Sequence, residues 1–449
     1  MSTPYGNEDE LKQSEEDDTM LASSTQTPQY PPTALSSYQH QAYNNHSNNS
    51  LQHQQQQQQQ QQHQSQSDIF QTSNVVIGYG ILGCAGIASK IARAIHLAPN
   101  SQITCVASRS LEKAQNFISR NCPNAEAVTY DELIASDKCD IIYIPIPTAL
   151  RLPWIVKAIE QKKHILCEKP VGSPKYMEVI IPSCRAKNVQ FMDGVEFMHH
   201  PRFKELTDKI HKSKIIGRIQ KVVSSFSVPC TDDNNIRNQP ELEPLGVLGD
   251  LGIHNIRLSL WAFDYETPRF VKALCHKYSK KTGAIQDCSV WLFFTSDRVA
   301  SFDCSYHCPL RQHAELVGER GSIHVRQFVI PNEKKCSYSI HYQTLNTYDT
   351  TEHVESKEFS GSIQEVEMIK RMTRIAITNK TEQFWPSVSA MTEKILDACR
   401  RSINKDGALV EFVRGQLWFE MSSKDSNRRY SMVGPNQQMF NQIDTVNSK

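Results

Sequence analysis

The stretch from Val75 to Ala94, V-V-I-G-Y-G-I-L-G-C-A-G-I-A-S-K-I-A-R-A, limits the possible fold more than any other part of the chain. It opens with a β-branched apolar run, passes through a turn of very small residues, and continues with apolar positions at helical spacing. This pattern predicts a strand, a tight turn and a helix. In such a turn, backbone N–H groups can approach a pyrophosphate at the positive end of the helix dipole. Small-residue turns also occur wherever a helix packs closely on a strand, so the turn alone leaves nucleotide binding open.

The register that best fits a dinucleotide fingerprint is Gly83-x-Ala85-x-x-Ala88. Gly83 makes the tight turn, and the two alanines replace the later glycines of the pattern. The methyl group of Ala85 pushes a bound cofactor slightly outward. We predict that these three residues, together with Gly86 and Ile87, contact the cofactor.

The next predicted strand, Gln102 to Ser108, ends in Ser108-Arg109-Ser110. In a dinucleotide domain this strand end meets the adenosine ribose, and an acidic residue there binds the free 2′-hydroxyl of NAD. No acidic residue is present, whereas a hydroxyl and a guanidinium suit the 2′-phosphate of NADP. The sequence therefore favours NADP over NAD through Ser108 and Arg109. The alternative is an ordinary exposed arginine at a strand end.

Two further apolar runs predict parallel strands that end at the same sheet edge. Cys139 to Pro147 stops at a proline turn that begins at Pro145, and His164 to Cys167 delivers Glu168-Lys169-Pro170. Strand ends of this kind line the crevice in which an open α/β sheet binds its ligand, so Pro145, Glu168 and Lys169 are predicted cofactor contacts. Lys169 can also donate a hydrogen bond to a substrate oxygen. Taken alone, it reads as a surface lysine.

The pattern changes beyond Pro201, where six segments, several of them alternating, predict strands, and two late apolar patterns, Ser362 to Thr378 and Val388 to Ile403, predict helices. The fold class is therefore α/β: a Rossmann-type parallel sheet domain followed by an α+β domain with a largely antiparallel sheet. The predicted organisation is a disordered Gln/Asn-rich arm (1–73), a cofactor domain (74–196), an α+β domain (197–413) and a flexible C-terminal tail (414–449). The glutamine run Gln54 to Gln62 lies in the arm.

Composition excludes several classes of partner. The formal net charge of the 449 residues is +1 and the basic residues are scattered, which argues against nucleic acid and anionic membranes. The acidic N-terminus is not a targeting signal, and the longest apolar run, Ile141 to Leu150, is too short to span a bilayer. The 13 cysteines include no C-x-x-C pair, which indicates reduced thiols, no metal site and a cytoplasmic location.

The order of these motifs resembles a known family. The G-x-A-x-x-A turn, the A-S-R-S strand end, E-K-P and the later Gly249-Asp250-x-x-x-His254 are similar to the glucose–fructose oxidoreductase/inositol dehydrogenase/MocA family of NAD(P)-dependent oxidoreductases. The resemblance covers most of the region from Val75 to about Phe412. It includes a second-domain turn, Gly318-Glu319-Arg320-Gly321-Ser322-Ile323, and Trp385-Pro386-Ser387 at the start of a late helix.

The resemblance implies specific roles. Lys169 corresponds to the lysine that contacts substrate and nicotinamide, and the proline after it is often cis in relatives. Asp250 and His254 correspond to the D-x-x-x-H pair of the inositol dehydrogenase branch, in which the histidine exchanges the hydroxyl proton. Residues four apart on a helix share a face, so the pair can point into one cleft. Without the family, Asp250 reads as a helix N-terminal carboxylate and His254 as a core histidine.

The resemblance also implies that the segment from Asp193 to Arg202 links the two domains and that one face of the second sheet makes a homodimer. His199 and His200 either reach the pocket or pack in the core. The expected function is hydride transfer between NADP and a hydroxyl or hemiacetal carbon of a sugar, polyol or cyclic dihydrodiol, with Lys169, Asp250 and His254 as catalytic residues. The alternative is a regulatory protein that senses NAD(P) on the same fold without turnover.

Overall fold

The computed structural model describes residues 74–345 and 350–412. The predicted arm (1–73) and tail (414–449) lie outside the described residues. Between them the chain forms two β-sheets with helices packed on them, and the first sheet is built from the N-terminal half of this region.

The first sheet has six parallel strands in the order β3-β2-β1-β4-β5-β6. The strands are β1 (Ile77–Leu82), β2 (Ser101–Ala107), β3 (Glu126–Val128), β4 (Ile141–Ile144), β5 (His164–Cys167) and β6 (Phe191–Asp193). Strands β1, β4, β5 and β6 are buried along their whole length, which explains their continuous apolar sequences. Because all six strands run in the same direction, their carboxyl ends meet at one edge.

Helices connect these strands and cover the sheet. They are α1 (Gly86–Leu97), α2 (Leu111–Asn121), α3 (Tyr130–Ala135), α4 (Arg151–Glu160) and α5 (Pro174–Lys187), with a 3₁₀ turn at Thr148–Leu150. Their starts follow from local capping chemistry. The Ser110 hydroxyl accepts from the backbone of Lys113 at the start of α2, and Thr129 and Glu132 form a reciprocal capping box on α3.

A short helical segment leads from the first sheet to the second. It comprises a 3₁₀ turn (Glu196–His199), α6 (Pro201–Thr207) and a π-helical turn (Asp208–Lys212). The second sheet has nine strands in the order β14-β13-β12-β11-β7-β10-β9-β8-β15, and all neighbours are antiparallel except β7 and β10. The strands are β7 (Ile219–Ser227), β8 (Phe270–Tyr278), β9 (Ile285–Phe293), β10 (Val299–Ser305), β11 (Arg311–Gly318), β12 (Ser322–Arg326), β13 (Cys336–Leu345), β14 (Thr350–Phe359) and β15 (Val410–Glu411).

Three more helices pack between the sheets. A 3₁₀ turn (Ile236–Asn238) and a π-helical turn (Leu248–Gly252) precede α7 (Ile253–Ala262), and α8 (Gln364–Thr378) and α9 (Phe384–Ile403) follow the second sheet. Every residue of α7 is buried. Its apolar side chains belong to one continuous core that also contains residues of β1, α1, α8 and α9. This core fixes α7, and the residues just before it, relative to the first sheet.

The fold class predicted from the sequence is confirmed, with a parallel sheet followed by a largely antiparallel one. Three strands of the second sheet were not predicted from the sequence: β12, β14 and the two-residue β15. The short β12 lies directly after the predicted Gly318–Gly321 turn, and β14 is exposed on nearly its whole length, so its sequence T-T-E-H-V-E-S-K-E-F shows no apolar alternation. The domain limits, including the boundary between 196 and 197, stay a prediction.

Candidate active site

The turn after β1 has the geometry that a dinucleotide-binding turn requires. Gly83 adopts φ +117°, a backbone conformation that side chains disfavour, and a Cβ there would lie 2.6 Å from Cγ2 of Ile146. The Gly83 amide donates to the carbonyl of Ala107 at the end of β2, at 2.9 Å. The first residue of the predicted fingerprint is therefore restricted to glycine by both conformation and space.

The N-terminus of α1 is free to accept an anion. Ala85 occupies the N-cap position, where its methyl group cannot accept a hydrogen bond, and the first turn contains no acidic residue. No described atom lies within 4 Å of the position that a Cβ on Gly86 would take, so the space in front of the helix is open. The amides of Gly86 and Ile87, which donate to no described acceptor, meet the requirements for binding a pyrophosphate, whereas the Ala88 amide donates to the carbonyl of Ala85 at 2.9 Å. The residues present therefore fit a dinucleotide cofactor.

The remaining predicted cofactor contacts lie at the same sheet edge. Ser108 and Arg109 follow β2, Pro145 follows β4, and Glu168 and Lys169 follow β5. Ser108 is buried and Arg109 is exposed. Glu168 is buried and accepts a hydrogen bond from the hydroxyl of Tyr143 at 2.8 Å, which fixes the side chain at the end of its strand.

A pocket of about 310 Å³ lies between the glycine turn and α2. It is lined by Cys84, Ser110, Glu112, Lys113, Asn116, Phe117 and Arg120. Lys113 and Arg120 were not predicted as site residues. Their spacing with Asn116 and Phe117 places all four on one helical face, a signal that the sequence contains once α2 is assigned. The pocket adjoins the strand end at which NADP specificity was predicted.

Lys169 and Asp250, which are far apart in the chain, are in direct contact. The Lys169 ammonium donates to Oδ1 of Asp250 at 2.7 Å and to the backbone carbonyl of the same residue, also at 2.7 Å. Both side chains are largely buried, with 15% and 19% of their surface exposed. The Lys169–Pro170 peptide bond is cis, as the family resemblance implied.

Asp250 has two further partners that the sequence analysis did not identify. Nε of Arg237 donates to Oδ2 at 2.8 Å and the hydroxyl of Tyr306 donates to the same oxygen at 3.1 Å. Burial opposes ionisation of Asp250, but the charges of Lys169 and Arg237 outweigh it and hold the pKa of this carboxyl well below its ordinary range. Arg237 lies in the loop between Thr231 and Leu248, whose conformation the sequence does not determine.

His254 lies one turn after Asp250, at the start of α7, and is 3% exposed. Its ring packs against Phe197 and Phe226, and Nδ1 has no hydrogen-bond partner among the described residues. Burial lowers the pKa of His254 well below its ordinary value, and the charge of Lys169 lowers it further. The imidazole is therefore neutral at physiological pH.

The two adjacent histidines of the linking segment differ in surroundings. The His200 ring accepts from the backbone of Arg202 and contacts the thiol of Cys336, which is a packing role. His199 stacks on Trp385 with ring centroids 4.4 Å apart, and its buried Nε2 has no partner among the described residues. Of the two, only His199 has a buried ring nitrogen that no described residue engages.

The arrangement offers three chemical groups at one sheet edge: a charged amine, an ionised carboxylate that fixes it, and a neutral imidazole with an unused nitrogen. Within residues 74–345 and 350–412, no group of three or more His, Cys, Asp or Glu side chains has a geometry that could hold a metal ion. In the same ranges, no helix combines the length and the apolar character needed to cross a membrane.

Two family models match the chain. The model described as "Oxidoreductase family, NAD-binding Rossmann fold" matches residues 77–195, and the model of the GFO/IDH/MocA C-terminal domain matches residues 205–324. The first match covers the glycine turn, the strand ends and Lys169. The second contains Arg237, Asp250, His254 and Tyr306.

Curated relatives of the chain include sugar and inositol oxidoreductases. The chain is similar to dTDP-3,4-didehydro-2,6-dideoxy-alpha-D-glucose 3-reductase from Actinomadura kijaniata (25% identical; 72% of this chain and 95% of the relative) and from Saccharopolyspora spinosa (30%; 57% and 76%). It is also similar to the scyllo-inositol 2-dehydrogenase (NADP(+)) IolU of Bacillus subtilis (28%; 59% and 80%).

A solved structure shares the fold. The crystal structure of KijD10, a 3-ketoreductase from Actinomadura kijaniata in complex with NADP and TDP-benzene, has a TM-score of 0.65 and 23% sequence identity. The similarity covers 73% of this chain and 98% of KijD10. The two-sheet architecture therefore extends over nearly the whole of that protein.

Proposed function

The chain belongs to the glucose–fructose oxidoreductase/inositol dehydrogenase/MocA family of NAD(P)-dependent oxidoreductases, and from this premise we propose how its own residues carry out the reaction. The reaction is hydride transfer between NADP and a hydroxyl or hemiacetal carbon of a sugar, polyol or cyclic dihydrodiol. The observation that carries the proposal is the convergence of Lys169, Asp250 and His254 at the carboxyl edge of the parallel sheet.

The carboxyl edge would hold NADP. The amides of Gly86 and Ile87 would bind its pyrophosphate in the turn that Gly83 and Ala85 open, and the small side chain of Ala88 would leave room for it. Ser108 and Arg109 bind the 2′-phosphate, because a hydroxyl and a guanidinium at this strand end provide charge-assisted donors and no carboxylate. The pocket beside Lys113 adds positive charge to this end of the site. Pro145, Glu168 and Lys169 would contact the nicotinamide half of the cofactor.

When bound, the nicotinamide supplies the hydride acceptor or donor. The protein supplies orientation and proton transfer. In the oxidation direction the neutral His254 removes the hydroxyl proton of the substrate, which its free ring nitrogen permits. Lys169 hydrogen-bonds the same oxygen as it becomes a carbonyl, using the ammonium N–H that Asp250 leaves available.

Asp250 orients the amine and does not act as a base. Its carboxylate already accepts from Lys169, Arg237 and Tyr306, and its lowered pKa makes it a poor proton acceptor. Fixing the ammonium before the substrate arrives reduces the reorganisation needed in the transition state. In the reduction direction the same lysine polarises the carbonyl oxygen of the substrate.

The test is reduction of NADP, measured at the nicotinamide absorbance, with a panel of aldoses, inositols and dihydrodiols, and the reverse reaction with the matching ketoses. We expect at least one substrate to be turned over faster with NADP than with NAD. Tight NADP binding by calorimetry with no turnover across the panel, together with a protein partner in pull-down, would support the cofactor-sensing alternative.

Two further proposals concern the setting of the enzyme. We place it in the cytoplasm, because all 13 cysteines carry free thiols. We also propose a homodimer through the open face of the second sheet, where Val223 is 40% exposed on β7. Light scattering after gel filtration tests the dimer, and Val223→Asp should shift the protein to a monomer.

A further inference from the structure

Arg237 is engaged by only one of its three nitrogens. It lies in the 3₁₀ turn Ile236–Asn238, and its Nε donates to Oδ2 of Asp250. Neither Nη atom donates to any acceptor in the described part of the chain, and 48% of the side chain is exposed. A guanidinium carries five N–H donors, four of them on these two nitrogens, so most of the donor capacity of Arg237 faces outward.

The charges around Asp250 do not balance. Lys169 and Arg237 both contact the carboxylate of Asp250, at 2.7 and 2.8 Å, so these three side chains carry one positive charge in excess. Glu168 also interacts with Lys169, but burial raises the pKa of Glu168 and so opposes its ionisation. Burial, together with the charge of Asp250, raises the pKa of Tyr306 well above its ordinary value, so the phenol contributes no negative charge. His254 is neutral for the reason given above. An excess cation beside a substrate site favours an anionic ligand.

The segment that carries Arg237 is held over the carboxyl edge of the first sheet. Glu243 accepts from the backbone amide of Thr148 at 3.0 Å and from its hydroxyl at 2.6 Å, and the amide of Ala149 donates to the carbonyl of Leu242 at 3.1 Å. Thr148 follows the proline turn at the end of β4. Arg237 is therefore fixed near the strand ends through Glu243 and against the catalytic pair through Asp250.

We propose that Arg237 binds an oxyanion of the substrate, a carboxylate or a phosphate, next to the sugar carbon that reacts. This inference rests on the proposed function and narrows its substrate class to anionic sugars: sugar acids, sugar phosphates or nucleoside-diphosphate sugars. The planar fork formed by the two Nη atoms matches the paired oxygens of either group. Neutral polyols lack a partner for it.

The competing role for Arg237 is to clamp Asp250. A clamp acts on every substrate to the same extent, because it changes only the position of the carboxylate and the lysine. An anion subsite acts on anionic substrates alone. The ratio of kcat/KM for an anionic sugar to that for its neutral parent therefore separates the two roles, whatever the effect on absolute activity.

The experiment measures this ratio for D-glucuronate, D-glucose 6-phosphate and UDP-glucose against D-glucose, and for the corresponding galactose series, with NADP. We expect one anionic class to exceed its neutral parent by roughly 10- to 100-fold in the wild type, as one charge-assisted bidentate contact implies. Arg237→Gln should bring the ratio close to one. Arg237→Lys should keep part of it, because a lysine retains the charge and loses the fork. Arg218→Gln, the same substitution at an exposed position directly before β7, serves as the control.

The outcomes distinguish this inference from the proposed function. Turnover of neutral and anionic sugars with ratios within about twofold supports the enzyme and overturns the anion subsite. An equal loss on both kinds of substrate in Arg237→Gln assigns the clamp role instead. Because binding does not require turnover, calorimetry of the NADP-bound protein with the same anionic sugars provides a second readout. Weaker binding in Arg237→Gln but not in Arg218→Gln is expected, and unchanged binding contradicts the proposal.

Discussion

Two aspartate–cation contacts, one involving a residue of α7 and one a residue just before it, differ in how many hydrogen-bond donors they leave unused. Asp193, the last residue of β6, receives two hydrogen bonds from Arg257 of α7, at 2.6 and 3.3 Å, and both side chains are essentially inaccessible to solvent. The remaining Nε of Arg257 donates to the hydroxyl of Thr392 at 2.9 Å. Around Asp250, in contrast, Lys169 keeps an unused N–H and stays partly exposed.

The difference separates structural from functional charge. A bidentate pair that solvent does not reach, and in which each nitrogen of the arginine already donates one hydrogen bond, offers no site to a ligand, and its role is to hold α7 against β6 and α9. The Asp250 cluster keeps spare donors on Lys169 and an unpaired nitrogen on His254. Such spare capacity costs stability in the free protein and is recovered when a substrate fills it. Charge that acts on a ligand is therefore recognisable by the hydrogen bonds that it leaves unmade.

The largest expected effect comes from removing side chains of the Asp250 cluster that have unused donors or acceptors. Lys169→Ala should lower kcat by roughly 10²- to 10⁴-fold, the usual contribution of a positioned proton donor, and His254→Ala should have an effect of the same order. NADP binding, measured by fluorescence titration, should persist, because the pyrophosphate amides are untouched. Lys157→Ala, which removes the exposed ion pair with Asp131, is the matched control and should turn over normally. Normal turnover in both site variants would remove the distinction between the two clusters.

Removing a partner from the buried pair of Asp193 and Arg257 should change the stability of the protein. Arg257→Met leaves the carboxylate of Asp193 buried without a partner and should lower the free energy of unfolding by about 3–5 kcal/mol. The double variant Arg257→Met, Asp193→Leu removes both charges and should recover more than half of this loss, as urea titration can show. A single variant that is fully stable yet inactive would place Arg257 with the functional charges instead.

Much of this architecture is predictable because the first sheet is buried on both faces. Its central strands β1, β4 and β5 read as continuous apolar runs that end in glycine, proline or E-K-P, so both their positions and their shared edge follow from the sequence. The second sheet is harder to predict because one side of each strand faces solvent. The polar edge strand β14 has no pattern from which to predict it.

The site divides along the same line. Lys169 and Asp250 were predicted together, through strand-end position and motif resemblance, and the structure brings them into contact. Arg237 and Tyr306 were not predicted, because their contacts with Asp250 depend on the conformation of a loop and on the facing of one strand. No spacing rule connects residues 13 or 56 positions apart. Only the folded chain shows that three side chains share the carboxylate of Asp250.

A third buried carboxyl group, that of Glu393, should make the stability of the protein depend on pH. Glu393 of α9 is 1% exposed and accepts from the amides of Val171 and Gly172, at 2.6 and 3.3 Å, directly after Pro170. Burial raises its pKa to about 7, although the two amides oppose this. A raised carboxyl pKa contributes stability that is present below its unfolded value of 4.5 and is lost as pH rises through about 7.

Glu393→Gln cannot ionise and should lack this loss, which amounts to about 3 kcal/mol between pH 4.5 and 8. The measurement is the difference in unfolding free energy between the two proteins across that range. Glu196, whose pKa burial and the charges of Glu168 and Glu365 raise to about 8, titrates in both proteins and cancels in the difference. If the unfolding free energies of the two proteins change with pH in parallel, burial does not raise the pKa of Glu393, and the prediction is wrong.

The smallest expected effect is on cofactor preference and concerns the exposed charge of Arg109. Arg109 follows β2, and its side chain makes no hydrogen bond to any residue that the structure describes. If unused donors identify charges that act on a ligand, the ligand of Arg109 is the 2′-phosphate. Arg109→Glu should change the ratio of kcat/KM for NADP to that for NAD by roughly 10- to 100-fold towards NAD. Arg269→Glu, an equal charge change at an exposed position before β8, should leave the ratio as it is.

If Arg109→Glu leaves the cofactor preference intact, Lys113 is the next residue to test, because it lines the adjoining pocket. A shift in Lys113→Glu alone would move the 2′-phosphate from the strand end to the face of α2. It would also limit the rule drawn from the two aspartates. An unused donor would then identify a ligand-binding side chain only where a second residue holds that side chain in place, as Asp250 holds Lys169. No described residue holds the Arg109 side chain in this way.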